Sequence, residues 1–168
     1  MTPVLETERL VLRHMCVNDT EALLKIWGNR EAMRFYERPW NLDEMRAAVE
    51  RNIWRYEHDG HSLYAAILKD SGDLAGDCGL VKQDINGSME LEVAYHMRPD
   101  LWGKGLATEA ARGCMNYAFE TLRAKRLISM IRPENIASRR VAEKNGLKLE
   151  RTVLWRGYQH CIYSIEQK

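Results

Sequence analysis

Arg98-Pro99-Asp100-Leu101-Trp102-Gly103-Lys104-Gly105-Leu106-Ala107-Thr108-Glu109 is the stretch of this 168-residue chain from which the rest of the fold can be read. Before it, Met89 to Met97 alternates as a strand does. Leu91, Val93, Tyr95 and Met97 fall on one face, and Glu90, Glu92, Ala94 and His96 on the other. After it, Leu106, Ala110, Cys114, Ala118 and Leu122 form one helical stripe. The stretch is therefore a glycine turn leading from a strand into a helix. A helix N-terminus carries unpaired N–H groups and a partial positive charge, and glycines before it let an anion reach the backbone. No Ser, Thr, Asn or Asp stands at positions 103–106 to use those donors, although Thr108 compensates in part. A pyrophosphate fits such a place. So does a ligand-free connection that needs glycine only for a left-handed turn. The spacing is neither GxGxxG nor a P-loop, since Gly105 follows Lys104 where a P-loop has Ser or Thr after the lysine.

Working outward, Leu5 to Met15 reads as one strand, and Asp19 as the cap of a helix running to about Trp27. Asn41-Leu42-Asp43-Glu44 opens a second helix with Met45, Val49, Ile53 and Tyr56 at helical spacing. Leu63–Leu68 and Leu74–Lys82 are strands on either side of Asp70-Ser71-Gly72-Asp73, and Asn86-Gly87 turns the chain into Met89–Met97. Beyond the stripe helix come a short strand, Arg126 to Ile131, and a helix from Asn135 that stops at Asn145-Gly146. Two last strands, Lys148 to Trp155 and Gln159 to Ile165, turn at Arg156-Gly157-Tyr158. The order β-α-α-β-β-β-α-β-α-β-β predicts an α/β chain of one domain, 1–168. Its centre is a mixed, mostly antiparallel, twisted sheet of about seven strands with helices on both faces.

The composition, 45% hydrophobic and 29% charged with a formal net charge of +1, is that of an ordinary globular protein and argues against a nucleic-acid binder. Cys16, Cys78, Cys114 and Cys161 have no metal-ligand or disulfide spacing, so no metal is expected and the thiols read as reduced core residues. No signal-peptide pattern opens the chain, and no run approaches the ~18 apolar residues of a membrane span, which together predict a cytoplasmic protein.

Taken whole, the glycine segment resembles the acetyl-CoA pyrophosphate loop of the GNAT acetyltransferases, Arg/Gln-x-x-Gly-x-Gly/Ala, with Trp102, Gly105 and Ala107 at the matching positions. Trp102 in place of Arg or Gln is similar to the RimJ/RimL-like branch. Leu5–Arg13, Pro133–Ser138 and Val141–Leu147 resemble further elements of that branch, in the right order. The resemblance implies acetyl-CoA as co-substrate, held by the backbone from Gly103 through Lys104, Gly105, Leu106 and Ala107 to Thr108. It implies that Tyr95, His96 and Met97 contact the pantetheine arm, with backbone donors at a strand bulge for the developing oxyanion. It also puts Asn135 and Ser138 beside the pantetheine and the thioester sulfur; Asn135 reads equally as a plain helix cap.

Transfer of an acetyl group to an amine needs a neutral amine, a polarised carbonyl and a proton for the departing thiolate. The tyrosine acid of many family members falls at Ala142 here; the resemblance to the RimJ/RimL-like branch implies instead a serine acid, which matches Ser138, and a helix-start hydrogen bond is the other reading of that residue. The glutamate that some members carry on the next strand falls at Met130. Glu92 is therefore the first candidate base, with Glu90 and His96 behind it; a charged residue on a polar strand face is the other reading of Glu92. Trp40, Tyr36 and Trp155 are candidate walls of an acceptor pocket, and Glu37 and Asp43 candidate attractors of a cation. Three functions remain open: acetylation of a protein N-terminal α-amino group, acetylation of a small amine (polyamine, amino-acid analogue or aminoglycoside), and a silent acyl-CoA-binding module. Edge pairing of the final strands makes either a monomer or a homodimer admissible.

Overall fold

The computed structural model describes residues 2–167. One eight-stranded sheet runs through it in the order β1-β2-β3-β4-β5-β6-β8-β7. The strands are β1 (Pro3–Glu6), β2 (Leu10–Arg13), β3 (Leu63–Leu68), β4 (Leu74–Ile85), β5 (Ser88–Met97), β6 (Arg126–Ile131), β7 (Lys148–Trp155) and β8 (Tyr158–Glu166). Every pairing is antiparallel except β5 with β6. The helices are α1 (Thr20–Trp27), α2 (Leu42–His58), α3 (Leu106–Glu120) and α4 (Ile136–Lys144).

Two apolar layers sandwich the sheet. On one face α3 buries Leu106, Ala110, Cys114 and Ala118 against Leu10, Leu12, Tyr64, Cys78, Leu80 and Val93. On the other, α1 and α2 bury Leu23, Ile26, Trp27, Met45 and Val49 against Ala65 and Leu74. The stripes that predicted the helices are the faces that pack, because a 3.6-residue period places those side chains on one side. Asn41 caps α2 in a reciprocal capping box with Glu44. The two-residue turns Asn86-Gly87 and Arg156-Gly157 have positive φ at both positions, as tight hairpins require.

Two expectations change. The single strand over Leu5–Met15 is two strands, because Thr7 closes a turn: its N–H donates to the Leu10 carbonyl (2.9 Å) and its hydroxyl accepts from Leu10 N–H (3.1 Å). The sheet thus has eight strands, not seven. Asp19 makes no side-chain bond to an α1 N–H; its carboxylate takes both terminal nitrogens of Arg13 (2.7 and 2.8 Å) and the Cys16 N–H. At the far end of the sheet β8 inserts between β6 and β7, which leaves β7 at that edge.

Candidate active site

The site is built where the sheet splits. β5 keeps an unbroken register with β4 from Ile85↔Ser88 to Gly76↔Met97, yet pairs with β6 only at Glu92↔Ile128. The Arg98 N–H donates to the Ala75 carbonyl at 2.9 Å, and antiparallel bonding alternates, so the peptide groups of Tyr95 and Met97 face the β6 side. Past Glu92, β6 has diverged. The Tyr95 and Met97 N–H groups therefore open into a gap, and the Met97 carbonyl is taken by the Trp102 indole N–H at 2.8 Å. The expected bulge is absent, since the β4–β5 register never shifts; the free donors come from the splay instead. Gly76 lets the strands approach here, because a Cβ would stand 2.0 Å from the His96 carbonyl oxygen.

Glu92 straps the divergence. It is 7% exposed, and its carboxylate accepts from the Met130 N–H (3.2 Å) and from Gln83 Nε2 (2.8 Å). Burial pushes this carboxyl above its ordinary range, and those two donors and His96 pull the other way.

One cleft, of about 350 Å³, lies on the α1–α2 side of the split and includes Glu37, Trp40, Glu92, Arg132, Trp155 and His160. A second, of about 330 Å³, runs along α3 and α4 and includes Met97, Trp102, Gly103, Gly105, Leu106, Ala107 and Thr108. They share Phe35, Tyr36, Tyr95, His96, Asn135 and Ser138, so the two clefts meet at a junction.

The second cleft fits an acyl-CoA pyrophosphate. Gly103 (φ 75°) and Gly105 (φ 79°) turn left-handed, and nothing stands within 4 Å of where a Cβ on Gly103 would be. Gly105 is the N-cap with no side-chain cap, and the first helical bond is Glu109 N–H to the Gly105 carbonyl at 3.0 Å. The N–H groups of Leu106, Ala107 and Thr108 are thus without intrahelical acceptors. Arg140 and Lys144, one turn apart on α4, bring cations to the same cleft, as does Arg34, whose guanidinium stands 5.6 Å from the Trp102 ring. Lys104 differs from its neighbours: it does not line the cleft, and its carbonyl accepts from Arg9 Nη1 (2.9 Å).

At the junction, Asn135 Oδ1 accepts from the Ser138 N–H (3.1 Å) and so caps α4. The Ser138 carbonyl accepts from the Tyr95 hydroxyl (2.9 Å), and Ser138 lines both clefts. Burial raises the Tyr95 phenol above its usual range. His96 Nδ1 lies 2.6 Å from Asp77 Oδ1, and its Nε2 lies 2.6 Å from the Tyr36 hydroxyl. The second Asp77 oxygen accepts from Trp27 Nε1 at 2.7 Å. Glu90 is elsewhere, ion-paired with Arg126 (3.1 Å) and Arg151 (3.6 Å). Asp43 stands in solvent near Arg46, whereas Tyr36, Trp40 and Trp155 do line the first cleft.

Sequence reasoning missed Asp77, Trp27, Arg34, Arg140, Lys144 and Arg132. For Asp77 a signal existed: it is the one acid inside the apolar run Leu74–Val81, and a buried carboxylate needs partners. Arg140 and Lys144, four apart, share a helix face.

A cationic helix-terminal cleft opening onto a polar junction suits a transferase whose co-substrate carries a pyrophosphate. The acetyltransferase (GNAT) domain family model matches residues 9–148, and the chain belongs to the GNAT acetyltransferase family. It is 33% identical over 153 residues to the uncharacterised protein YkkB of Bacillus subtilis, covering 89% of this chain and 87% of that one. An acetyltransferase from Agrobacterium tumefaciens has the same fold at a TM-score of 0.86 and 25% identity, covering 99% and 96% of the two chains. RimL, described as the ribosomal L7/L12 α-N-protein acetyltransferase and solved with coenzyme A, superposes at a TM-score of 0.79 with 18% identity over 98% of each chain. The protein is an acetyl-CoA-dependent acyltransferase. Among the described residues no helix is long and apolar enough to cross a membrane.

Proposed function

We propose that this protein acetylates a primary amine and that its acceptor is the α-amino group of a protein N-terminus. The observation that carries the reading is the junction: a cofactor cleft on one side of the split sheet and an acceptor cleft on the other, meeting at Tyr95, His96, Asn135 and Ser138. The acceptor cleft has mixed charge, with Glu37 and Glu92 against Arg132 and Arg156. A polyamine calls for a wall of carboxylates, whereas a peptide brings one ammonium and polar amides. Likeness in fold to the N-terminal acetyltransferase RimL points the same way.

In this reading the loop backbone from Gly103 to Thr108 binds the pyrophosphate, assisted by Arg140 and Lys144. The Tyr95 and Met97 N–H groups pair with the pantetheine arm and polarise the acetyl carbonyl. Glu92, whose carboxyl burial pushes above its ordinary range, takes the proton of the incoming ammonium. Ser138 gives a proton to the departing thiolate.

Titration calorimetry with acetyl-CoA, CoA and ATP, followed by thiol release over a panel of N-terminal peptides, polyamines, amino-acid analogues and aminoglycosides, tests this. Turnover confined to peptides supports it. Turnover on a small amine alone transfers the function to the second reading. Acetyl-CoA binding with no acceptor consumed identifies a silent acyl-CoA-binding module.

A further inference from the structure

One ionisable cluster at the junction is not used by the roles above. Asp77 on β4 is 1% exposed, and both its oxygens are held, one by Trp27 Nε1 and one by His96 Nδ1. A carboxylate can only accept, so the imidazole carries its hydrogen on Nδ1. Its Nε2 is then the acceptor for the Tyr36 hydroxyl at 2.6 Å. The Tyr36 ring is 45% exposed at the cleft mouth while its hydroxyl turns inward, and both clefts include Tyr36 and His96. The result is a directed chain of hydrogen bonds, from the place where amine and thioester meet to a buried carboxylate.

We propose that Tyr36, His96 and Asp77 form a proton relay that receives the second proton the acceptor nitrogen must lose. The proposal rests on the N-acetyltransferase reading. An ammonium sheds one proton to free its lone pair, and Glu92 takes that one. The nitrogen sheds another once the N–C bond has formed. The Tyr36 oxygen receives it while passing its own proton to His96 Nε2, and the Asp77 carboxylate at 2.6 Å balances the imidazolium. As the C–S bond breaks, its electron pair goes to sulfur. The proton on His96 returns through Tyr36 and replaces the one that Ser138 hands to the thiolate. Each turnover then moves one proton from nitrogen to sulfur and releases the other, from Glu92, to water. Desolvation of the Tyr36 hydroxyl, with the charges of Glu92 and Asp77, keeps it protonated, so it conducts without resting as a phenolate. Tyr36 and His96 are catalytic in this scheme, and Asp77 is a positioning residue.

The ionisable groups that bear on this chain are Asp77 on β4, Glu92 and Tyr95 on β5, and Tyr36 in the loop after α1, while α1 presents the Trp27 ring, 4.2 Å from the imidazole. The test is steady-state kinetics of Tyr36→Phe, His96→Gln and Asp77→Asn across pH, with acetyl-CoA affinity measured separately. The relay predicts a fall in kcat of about 10²-fold in Y36F and H96Q, with acceptor KM and acetyl-CoA Kd within about twofold. D77N removes the carboxylate that accepts from His96 Nδ1, and kcat falls there too, with acceptor KM and acetyl-CoA Kd within about twofold. Wild-type kcat and pH profile in Y36F and H96Q overturn the relay, whether or not D77N folds. Failure of the wild-type protein to acetylate any amine overturns the transferase reading itself, before any variant is compared.

Discussion

At the scale of single residues, Ser138 joins the two halves of the site. Its N–H and carbonyl are both committed, to Asn135 and Tyr95, which fixes the residue while the hydroxyl stays available. Ser138→Ala should lower kcat by about tenfold to a hundredfold and leave acetyl-CoA Kd unchanged, as read by thiol release and calorimetry; the thiolate leaves tolerably unaided, so the lower figure is favoured. Gly103 serves by lacking a side chain. With φ at 75° and open space around it, Gly103→Ala meets no clash but pays the left-handed penalty of about 1 kcal/mol. Urea unfolding reads that loss, and the new methyl, on the loop we propose for the pyrophosphate, should also weaken acetyl-CoA binding. The helix start at Asn135 and the glycine turn at Gly103 were legible in the sequence because both are local features, whereas Ser138 was singled out by resemblance alone. Asp77 was not read as functional, because its meaning depends on His96 across the β4–β5 pair.

At the scale of elements, the cofactor cleft depends on clamps that hold α3 and α4 to the sheet. Tyr95→Phe removes the bond from β5 to the start of α4; about 1 kcal/mol of stability should go with it, and calorimetry should find acetyl-CoA binding weaker. At the other end of the site, Glu109 in the first turn of α3 accepts from the Thr7 hydroxyl (2.6 Å), the Arg9 N–H (2.7 Å) and Arg9 Nε (2.6 Å). Burial works to raise the Glu109 pKa, but these donors outweigh it and hold the carboxyl below its usual range. A depressed carboxyl contributes stability that is full above its unfolded pKa of about 4.3 and is lost as pH falls through the folded value. Glu109→Gln should therefore cost about 2 kcal/mol at pH 7, and less and less as the pH is taken below about 4, in parallel denaturant titrations. This clamp also explains the broken first strand. The alternation over Leu5–Met15 continues across Thr7 and Arg9, but both residues are drawn to a glutamate about a hundred positions away.

At the scale of the whole molecule, a sheet that divides between β5 and β6 is the device that makes function from fold. Two layers of helix cover its faces, and the gap lets a ligand on the α3–α4 side meet a ligand on the α1–α2 side. Acetyl-CoA at about 100 times its Kd should add about 2.7 kcal/mol, raising Tm by roughly 5–10 °C for a chain of this length. ATP, whose triphosphate lacks the pantetheine arm that we propose pairs with β5, should shift Tm far less at equal concentration. The element order, the faces that pack, the tight turns and the glycine loop were determined by the sequence itself, because each follows from periodicity or backbone freedom within a few residues. The place of β8 between β6 and β7, the splay at Glu92, the strap it forms to Met130 and Gln83, and the chain from Tyr36 through His96 to Asp77 were decided only by tertiary structure. They join groups from separate elements, and no local pattern encodes which buried donor will meet which acceptor once the sheet has closed around them.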